Sequence, residues 1–377
     1  MAITRTNTKY DQRGIMNFIP YGKQTIDDDD IELVIQTLKS PFLTTGPKVS
    51  EFEQKIYEKS NAKYCLSVSN GTAALHLASL ALLEENDKVL TTVNSFIATS
   101  NSILYAKAKP IFIDICDDGT IDLEACEKYL KKDGSIKAIF IVSFSGKLID
   151  QEKIKYLKST YNIKILEDNA HSMGAILKYA DISIFSFHPV KHIATGEGGA
   201  IVTNDTSLYE KMKSLRNHGQ DNSHNMSLLG YNYRLSDINC ALGLSQINKL
   251  DIFIQKRQDI AKEYDNAFNG SLVKPLYKFT TNSFYHLYVV RVDFTKLSIT
   301  KEQLFVKMRE KQIGLQFHYK HINKQPYYKS LGYGDENTPN MDRYVDQCFS
   351  LPVYPLLTNE EQNYVIKSLF EILEDAK

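Results

Sequence analysis

The chain has no surplus of charge of either sign. Over 377 residues, 45 lysines and arginines stand against 45 aspartates and glutamates, a formal net charge of zero. That balance argues against a nucleic-acid or anionic-membrane role, since both draw on a basic surplus. Cysteine is scarce: Cys65, Cys116, Cys126, Cys240 and Cys348 are all there are, and no two form a CxxC pair. An odd, scattered set fits reduced thiols in a cytoplasmic protein rather than a disulfide framework, and its spacing speaks against zinc. No apolar run approaches the roughly 18–20 residues of a membrane span, and the polar N-terminus has no signal-peptide core. Internal repeats and low-complexity tracts are absent as well. The expectation is a soluble, cytoplasmic, globular protein, 43% hydrophobic and long enough for two domains.

Residues 1–16 are polar and aperiodic, and are expected to be a flexible lead-in, with Met16 as an alternative start. Thr25 followed by Asp28 resembles a capping box, and Ile31, Val34, Ile35 and Leu38 then form one apolar helix face. The DDDD run at 27–30 reads as a solvated helix start rather than a metal site. From residue 64 to about 205, strand-type runs follow one another: "YCLSVS", "KVLTTV", "PIFIDI", "KAIFIVSF", "IKILED", "ISIFSF" and "AIVTN". Helical stretches such as 72–84, 96–106 and 150–161 separate the earlier ones. Runs apolar on both faces and separated by helices predict a mostly parallel sheet covered on both sides. The last two runs have only "SFHPVKHIATGEGGA" between them, so a strand–turn–strand is the expected exception. After about residue 236 the pattern predicts a long helix over 236–268, a strand in "YHLYVVRVDF", and helices over 300–312 and 359–374. The predicted architecture is α/β: a large domain over 17–250 and a smaller C-terminal α/β domain over 251–377.

In an open parallel sheet, ligands bind at the carboxyl ends of the strands. After "YCLSVS" comes "NGTAAL", where Gly71 permits a tight turn and Thr72 opens a helix. Free amides at a helix start attract phosphate, and the Thr72 hydroxyl and the Ala73 amide would add to the cradle. The plainer reading is an ordinary capped turn. Asp168 ends "IKILED", with His171 three residues on. Its carboxylate could cap the next helix or hold a protonated ligand nitrogen. Ser186 ends "ISIFS", and Lys191 follows five residues later. Taken alone, Lys191 reads as a solvated loop lysine. The combination changes that reading. A phosphate cradle, a carboxylate, a hydroxyl and an amine at neighbouring strand ends match a cofactor with a phosphate, a protonatable ring nitrogen and an aldehyde, which is pyridoxal 5'-phosphate. Phe96, in "NSFIATSN", offers a flat neighbour for its ring.

These stretches also carry a resemblance. "SFHPVKHIATGEGGAIVTND" is similar to the lysine motif of the DegT/StrS family of sugar aminotransferases, pyridoxal phosphate enzymes of fold type I. "SNGTAAL", "EDNAHSMGA", "LRNHGQ" and "GYNYRLSDINCALGLSQINKLD" match in order, as does the opening "IPYGKQTIDDDDI…LTTGPKVSEFE". The resemblance runs from about residue 17 to the C-terminus. It implies that Lys191 bonds the cofactor aldehyde and carries protons. It implies further that Asp168 pairs with the ring nitrogen, His171 lies near the ring hydroxyl and Phe96 stacks on the ring. Thr72, Ala73 and Ser186 would hold the phosphate, and Asn232 would reach the phosphate of a partner's cofactor in a homodimer whose site is shared across the interface.

Within the family, "IPYGKQ", "LTTGPKV", "LGYNYRLSD" and "GLQFHYKHINKQPYY" resemble the branch that aminates C4 of a UDP-linked 4-keto-6-deoxy-N-acetylhexosamine from glutamate, on the way to pseudaminic acid. That likeness makes His188, His318 and Tyr319 candidate substrate contacts. The chain departs from the family at three places. A proline usual in the "HYxPxH" stretch is absent from His318-Tyr319-Lys320-His321-Ile322-Asn323. The segment between "HSMGA" and "ISIFSFH" is short. Ser143-Phe144-Ser145-Gly146 replaces the usual acidic or histidine, aromatic, Ala-Gly sequence. These lie on the expected substrate side. A dehydratase of the same fold would carry histidine at the lysine position, and Lys191 is present. A regulator with an aminotransferase-like domain would need a DNA-binding module, for which 16 residues are too few. An aminotransferase acting on another nucleotide-linked keto sugar remains the alternative. His192 has no expected role.

Overall fold

The computed structural model describes residues 17–377; the expected lead-in and Met16 lie outside the described residues. All seven apolar runs form strands: β1 (Tyr64–Val68), β2 (Lys88–Thr92), β3 (Lys109–Ile113), β4 (Ile136–Val142), β5 (Lys164–Asp168), β6 (Ile182–Ser186) and β7 (Gly199–Thr203). They make one sheet of order β1-β7-β6-β5-β4-β2-β3. Only β7 is reversed, pairing antiparallel with both β1 and β6, while the other pairs are parallel. The carboxyl ends of β1, β2, β5 and β6 therefore share one edge, and the β6–β7 connection stays at that edge.

Both faces of the sheet are covered. Along β4, Ile139 and Ile141 enter one buried cluster, while Ala138 and Phe140 enter another on the opposite face. Successive side chains of a strand point to opposite faces, so a doubly covered strand reads as a continuous apolar run. Helices Pro47–Ser60, Leu123–Lys132, Gln151–Tyr161 and Asp237–Asn248 contribute to the first cluster. Helices Gly71–Leu82, Ala98–Tyr105 and Thr206–Arg216 contribute to the second. A second, antiparallel sheet of order β10-β9-β8 comprises β8 (Lys274–Pro275), β9 (Tyr288–Arg291) and β10 (Cys348–Leu351). It packs with helices Leu250–Phe268, Lys301–Glu310 and Asn359–Glu374 around a core of its own. No helix among the described residues is long and apolar enough to cross a membrane.

Three sequence expectations change. The first helix spans Asp28–Leu38, and its capping box is Asp27 with Asp30, not Thr25 with Asp28. Asp30 is buried rather than solvated; it accepts from Lys249 Nζ at 2.9 Å and from Gln246 Nε2 at 2.7 Å. These polar anchors orient the helix so that Ile31 and Leu38 face outward, 49% and 53% exposed. The expected 236–268 helix is two helices, Asp237–Asn248 and Leu250–Phe268, divided at Lys249. Ile247 and Leu250 are both buried, so a one-residue break leaves the apolar rhythm almost in phase. Finally, only Tyr288–Arg291 of "YHLYVVRVDF" is strand. Tyr285 has φ +45, and the Leu287 amide leaves the ladder to donate to Ser145 O at 3.2 Å.

Candidate active site

The site is assembled at the shared carboxyl edge. After β1, Asn70 caps the helix Gly71–Leu82, its Oδ1 accepting from the Ala73 amide at 2.8 Å. That amide, expected to be a phosphate donor, is engaged by its own cap. The amides of Gly71 and Thr72 open the same first turn, where no intrahelical acceptor exists and the helix dipole favours an anion. Ser186, at the end of β6, closes the cradle. A Cβ on Gly71 would lie 3.0 Å from Ser186 Cβ, and one on Gly199 would lie 2.7 Å from the Asn70 carbonyl. Glycine at both positions lets the β1 turn, the end of β6 and the start of β7 come together.

Asp168 ends β5 and is buried. The Thr99 hydroxyl donates to its Oδ2 at 2.6 Å, and the Ala170 amide to its Oδ1 at 3.1 Å. Burial raises the carboxyl's pKa, while those two hydrogen bonds and the Lys191 charge pull it back down. Lys191 lies in the β6–β7 connection with its Nζ 3.3 Å from His286 Nε2. Burial lowers its pKa to about 8, against the Asp168 charge, which raises it. It is not a solvated loop lysine. An amine lowered that far keeps a neutral fraction near physiological pH and can act as a nucleophile or base.

His171 accepts from the Ser145 amide at Nδ1, 3.2 Å away, so its proton sits on Nε2, 3.4 Å from the Tyr319 hydroxyl. Burial, assisted by the Lys191 charge, pushes its pKa well below the usual histidine range. Burial likewise raises the Tyr319 phenol and keeps it protonated. His318 donates to or accepts from Ser350 Oγ at 2.9 Å, and burial lowers its pKa to about 3.

One cavity of about 910 Å³ brings together Thr72, Ala73, Phe96, Asp168 and His171. The same cavity is lined by Ser186, His188, Lys191, His318 and Tyr319. Phe96 is 60% exposed at its mouth. Asn232 is exposed and does not line the cavity, although its neighbour Tyr233 does. His192, without an expected role, turns out to be structural. Its Nε2 donates to Phe284 O at 2.9 Å and so pins the segment that carries His286. His286 itself is not visible in the sequence, because it lies in a run whose apolar alternation reads as plain strand.

The sequence profile of the DegT/DnrJ/EryC1/StrS aminotransferase family matches residues 24–370. The chain belongs to this family. It is 39% identical over 372 residues to the UDP-4-amino-4,6-dideoxy-N-acetyl-beta-L-altrosamine transaminase of Campylobacter jejuni, covering 95% of this chain and 98% of that protein. Its structure is similar to that of Helicobacter pylori PseC, an aminotransferase involved in the biosynthesis of pseudoaminic acid. There the TM-score is 0.90 and the identity 31%, over 95% of this chain and all of that one (100%). It is also similar to the PLP-form of the sugar aminotransferase Spr1654 from Streptococcus pneumoniae, with a TM-score of 0.86 and 27% identity over 95% and 99% of the two chains. Like these relatives, this family member is an aminotransferase, and its cofactor is pyridoxal phosphate. The residues present fit that group: a glycine-walled, hydroxyl-lined helix start for the phosphate, a buried carboxylate for the ring nitrogen, and a half-buried amine for the aldehyde.

Proposed function

We propose that the enzyme transfers an amino group from glutamate to C4 of a UDP-linked 4-keto-6-deoxy-N-acetylhexosamine, in pseudaminic acid biosynthesis. The 39% identity to the altrosamine transaminase over nearly the whole of both chains carries this reading, and the cavity supplies chemistry to match. When bound, pyridoxal phosphate supplies an aldehyde that takes up an amine and a protonated ring that withdraws electrons from the neighbouring carbon. The work of the chain is divided among its side chains. Thr72, Ser186 and the start of the helix Gly71–Leu82 hold the phosphate; Asp168 keeps the ring nitrogen protonated by close opposite charge. Phe96 would lie against the ring, and neutral His171, its Nδ1 held by the Ser145 amide, would turn its Nε2–H from the Tyr319 hydroxyl to the ring hydroxyl. Lys191 would anchor the cofactor and, once freed, would take the proton from the donor's α-carbon and in the second half deliver one to C4 of the sugar. His188, His318 and Tyr319 face the sugar. Exposed Asn232 reaches the cofactor phosphate of a second copy in a homodimer, and the exposure of Leu229 (88%) nearby suits such a contact.

Two experiments test this. Borohydride added to the yellow holoenzyme should fix the cofactor on the peptide containing Lys191, and Lys191→Ala should abolish turnover; labelling elsewhere, or a normal rate in the variant, refutes the assignment. A panel of 4-keto sugar nucleotides with glutamate, with products identified by NMR, should show amination of the UDP-linked N-acetylhexosamine. Preference for a GDP-sugar over every UDP-linked candidate would transfer the enzyme to another sugar pathway.

A further inference from the structure

His286 is a buried imidazole, and the reaction described above gives it no part. Its Nε2 lies 3.3 Å from Lys191 Nζ, and its Nδ1 is buried without a hydrogen-bond partner. Its place is over-determined. Arg257 Nη1 donates to the carbonyl oxygens of Tyr285, His286 and Val353 at 3.4, 3.3 and 2.8 Å. Gly146, at φ +101, allows so close an approach that a Cβ there would lie 2.7 Å from the Tyr285 nitrogen and 3.0 Å from that of His286. The ring centroid stands 4.3 Å from that of His171 and 5.8 Å from that of His192.

The surroundings decide which nitrogen carries the proton. Arg257 Nε and Nη2 are buried without acceptors, and a guanidinium can only donate. A proton on His286 Nδ1 would add another buried donor without an acceptor, close to a fixed positive charge. Orphaned buried N–H groups are the rarer and costlier kind. A lone pair at Nδ1 avoids both penalties. His192 has the same arrangement, with Nε2–H on Phe284 O and Nδ1 buried without a partner. The His286 proton therefore sits on Nε2, directed at Lys191 Nζ. Such a donor needs a lone pair on the amine, and an ammonium has none.

We propose that His286 is a positioning residue that holds the free Lys191 amine in its neutral, proton-accepting form by donating from Nε2; this rests on Lys191 being the cofactor lysine. The other charged or titratable groups acting on the pair are Asp168 from β5, His171 after it, His192 beside Lys191, Arg257 from the helix Leu250–Phe268, and His318. Asp168 favours the ammonium. The other four are neutral imidazoles or a fixed cation, so His286 is placed to oppose Asp168.

The test uses full-length protein carrying 13C-labelled lysine and loaded with pyridoxamine 5'-phosphate, in which Lys191 is free. The Lys191 side-chain signal, assigned with Lys191→Arg, is titrated by NMR. In His286→Phe the midpoint should rise by about one pH unit, the worth of one lost hydrogen bond. In His286→Gln, whose amide can still donate, it should stay within about 0.3 unit of wild type. The acid limb of the half-reaction rate should move with the midpoint. An unchanged or lowered midpoint in His286→Phe overturns the proposal, as does a Gln variant that behaves like Phe. Borohydride labelling of Lys191 in the same variants separates this outcome from an error in the lysine assignment.

Discussion

At the scale of single residues, the site is a set of charges held away from water for opposite purposes. Burial raises the Asp168 carboxyl, and the Thr99 hydroxyl, the Ala170 amide and Lys191 hold the carboxylate form against it. Burial lowers Lys191 toward the neutral amine. Asp168→Asn keeps the shape and removes the charge. We expect it to retain cofactor, by absorbance, while kcat falls about 10²–10³-fold, the usual cost of losing one buried electrostatic partner. Asp168, at the end of an apolar run, and Lys191, five residues past another, were legible as candidates only together, because a carboxylate and an amine beside a phosphate cradle match one cofactor. His286 was not legible. Its position against Lys191 depends on a kink at Tyr285 and on Arg257 reaching across from another helix, and neither leaves a local trace.

At the scale of elements, one reversed strand positions the lysine. Because β7 returns antiparallel beside β6, the connection carrying Lys191 stays at the edge where β1, β2 and β5 deliver Thr72, Phe96 and Asp168 to one cavity. The close passage of β7 past the β1 turn depends on Gly199, where a Cβ would meet the Asn70 carbonyl at 2.7 Å and the Gly71 nitrogen at 2.9 Å. Gly199→Ala should weaken cofactor affinity about tenfold or more in a spectroscopic titration, since backbone atoms at the cradle must shift. Gly134→Ala, with nothing within 4 Å of the added methyl, should leave the affinity unchanged and serves as the control. The seven strands were legible because burial on both faces writes an unbroken apolar run. The outward face of the helix Asp28–Leu38 was not, because Gln246 and Lys249, more than 200 residues away, hold its Asp30 and so orient it.

At the scale of the whole molecule, the fold keeps four imidazoles, His171, His192, His286 and His318, buried and neutral between the sheet edge and the second sheet's segments. For His192 and His318 the folded pKa is lowered to about 3, from 6.5 when free. Between those values the unfolded chain binds protons that the folded chain refuses. Stability contributed by these groups is therefore complete above pH 6.5 and declines as pH falls toward 3. Each such group costs about 1.4 kcal/mol per pH unit in that window. Urea unfolding at pH 7.5 and pH 5 should show the loss. His192→Phe should regain about 2 kcal/mol relative to wild type on that descent. An identical pH dependence in the two proteins would mean that His192 is not neutral in the fold.

By itself the sequence determined the α/β alternation, the strand ends, and the types of group that could meet a phosphate, a ring nitrogen and an aldehyde. These are local properties, set by apolar periodicity and by the chemistry of individual side chains. The tertiary structure decided which of those groups share one cavity, that the Ala73 amide is already engaged, that one apparent helix is two, and that His286 faces Lys191. Each of those depends on contacts between residues far apart in the chain, where hydrogen-bond partners and burial are settled by packing rather than by neighbours in sequence.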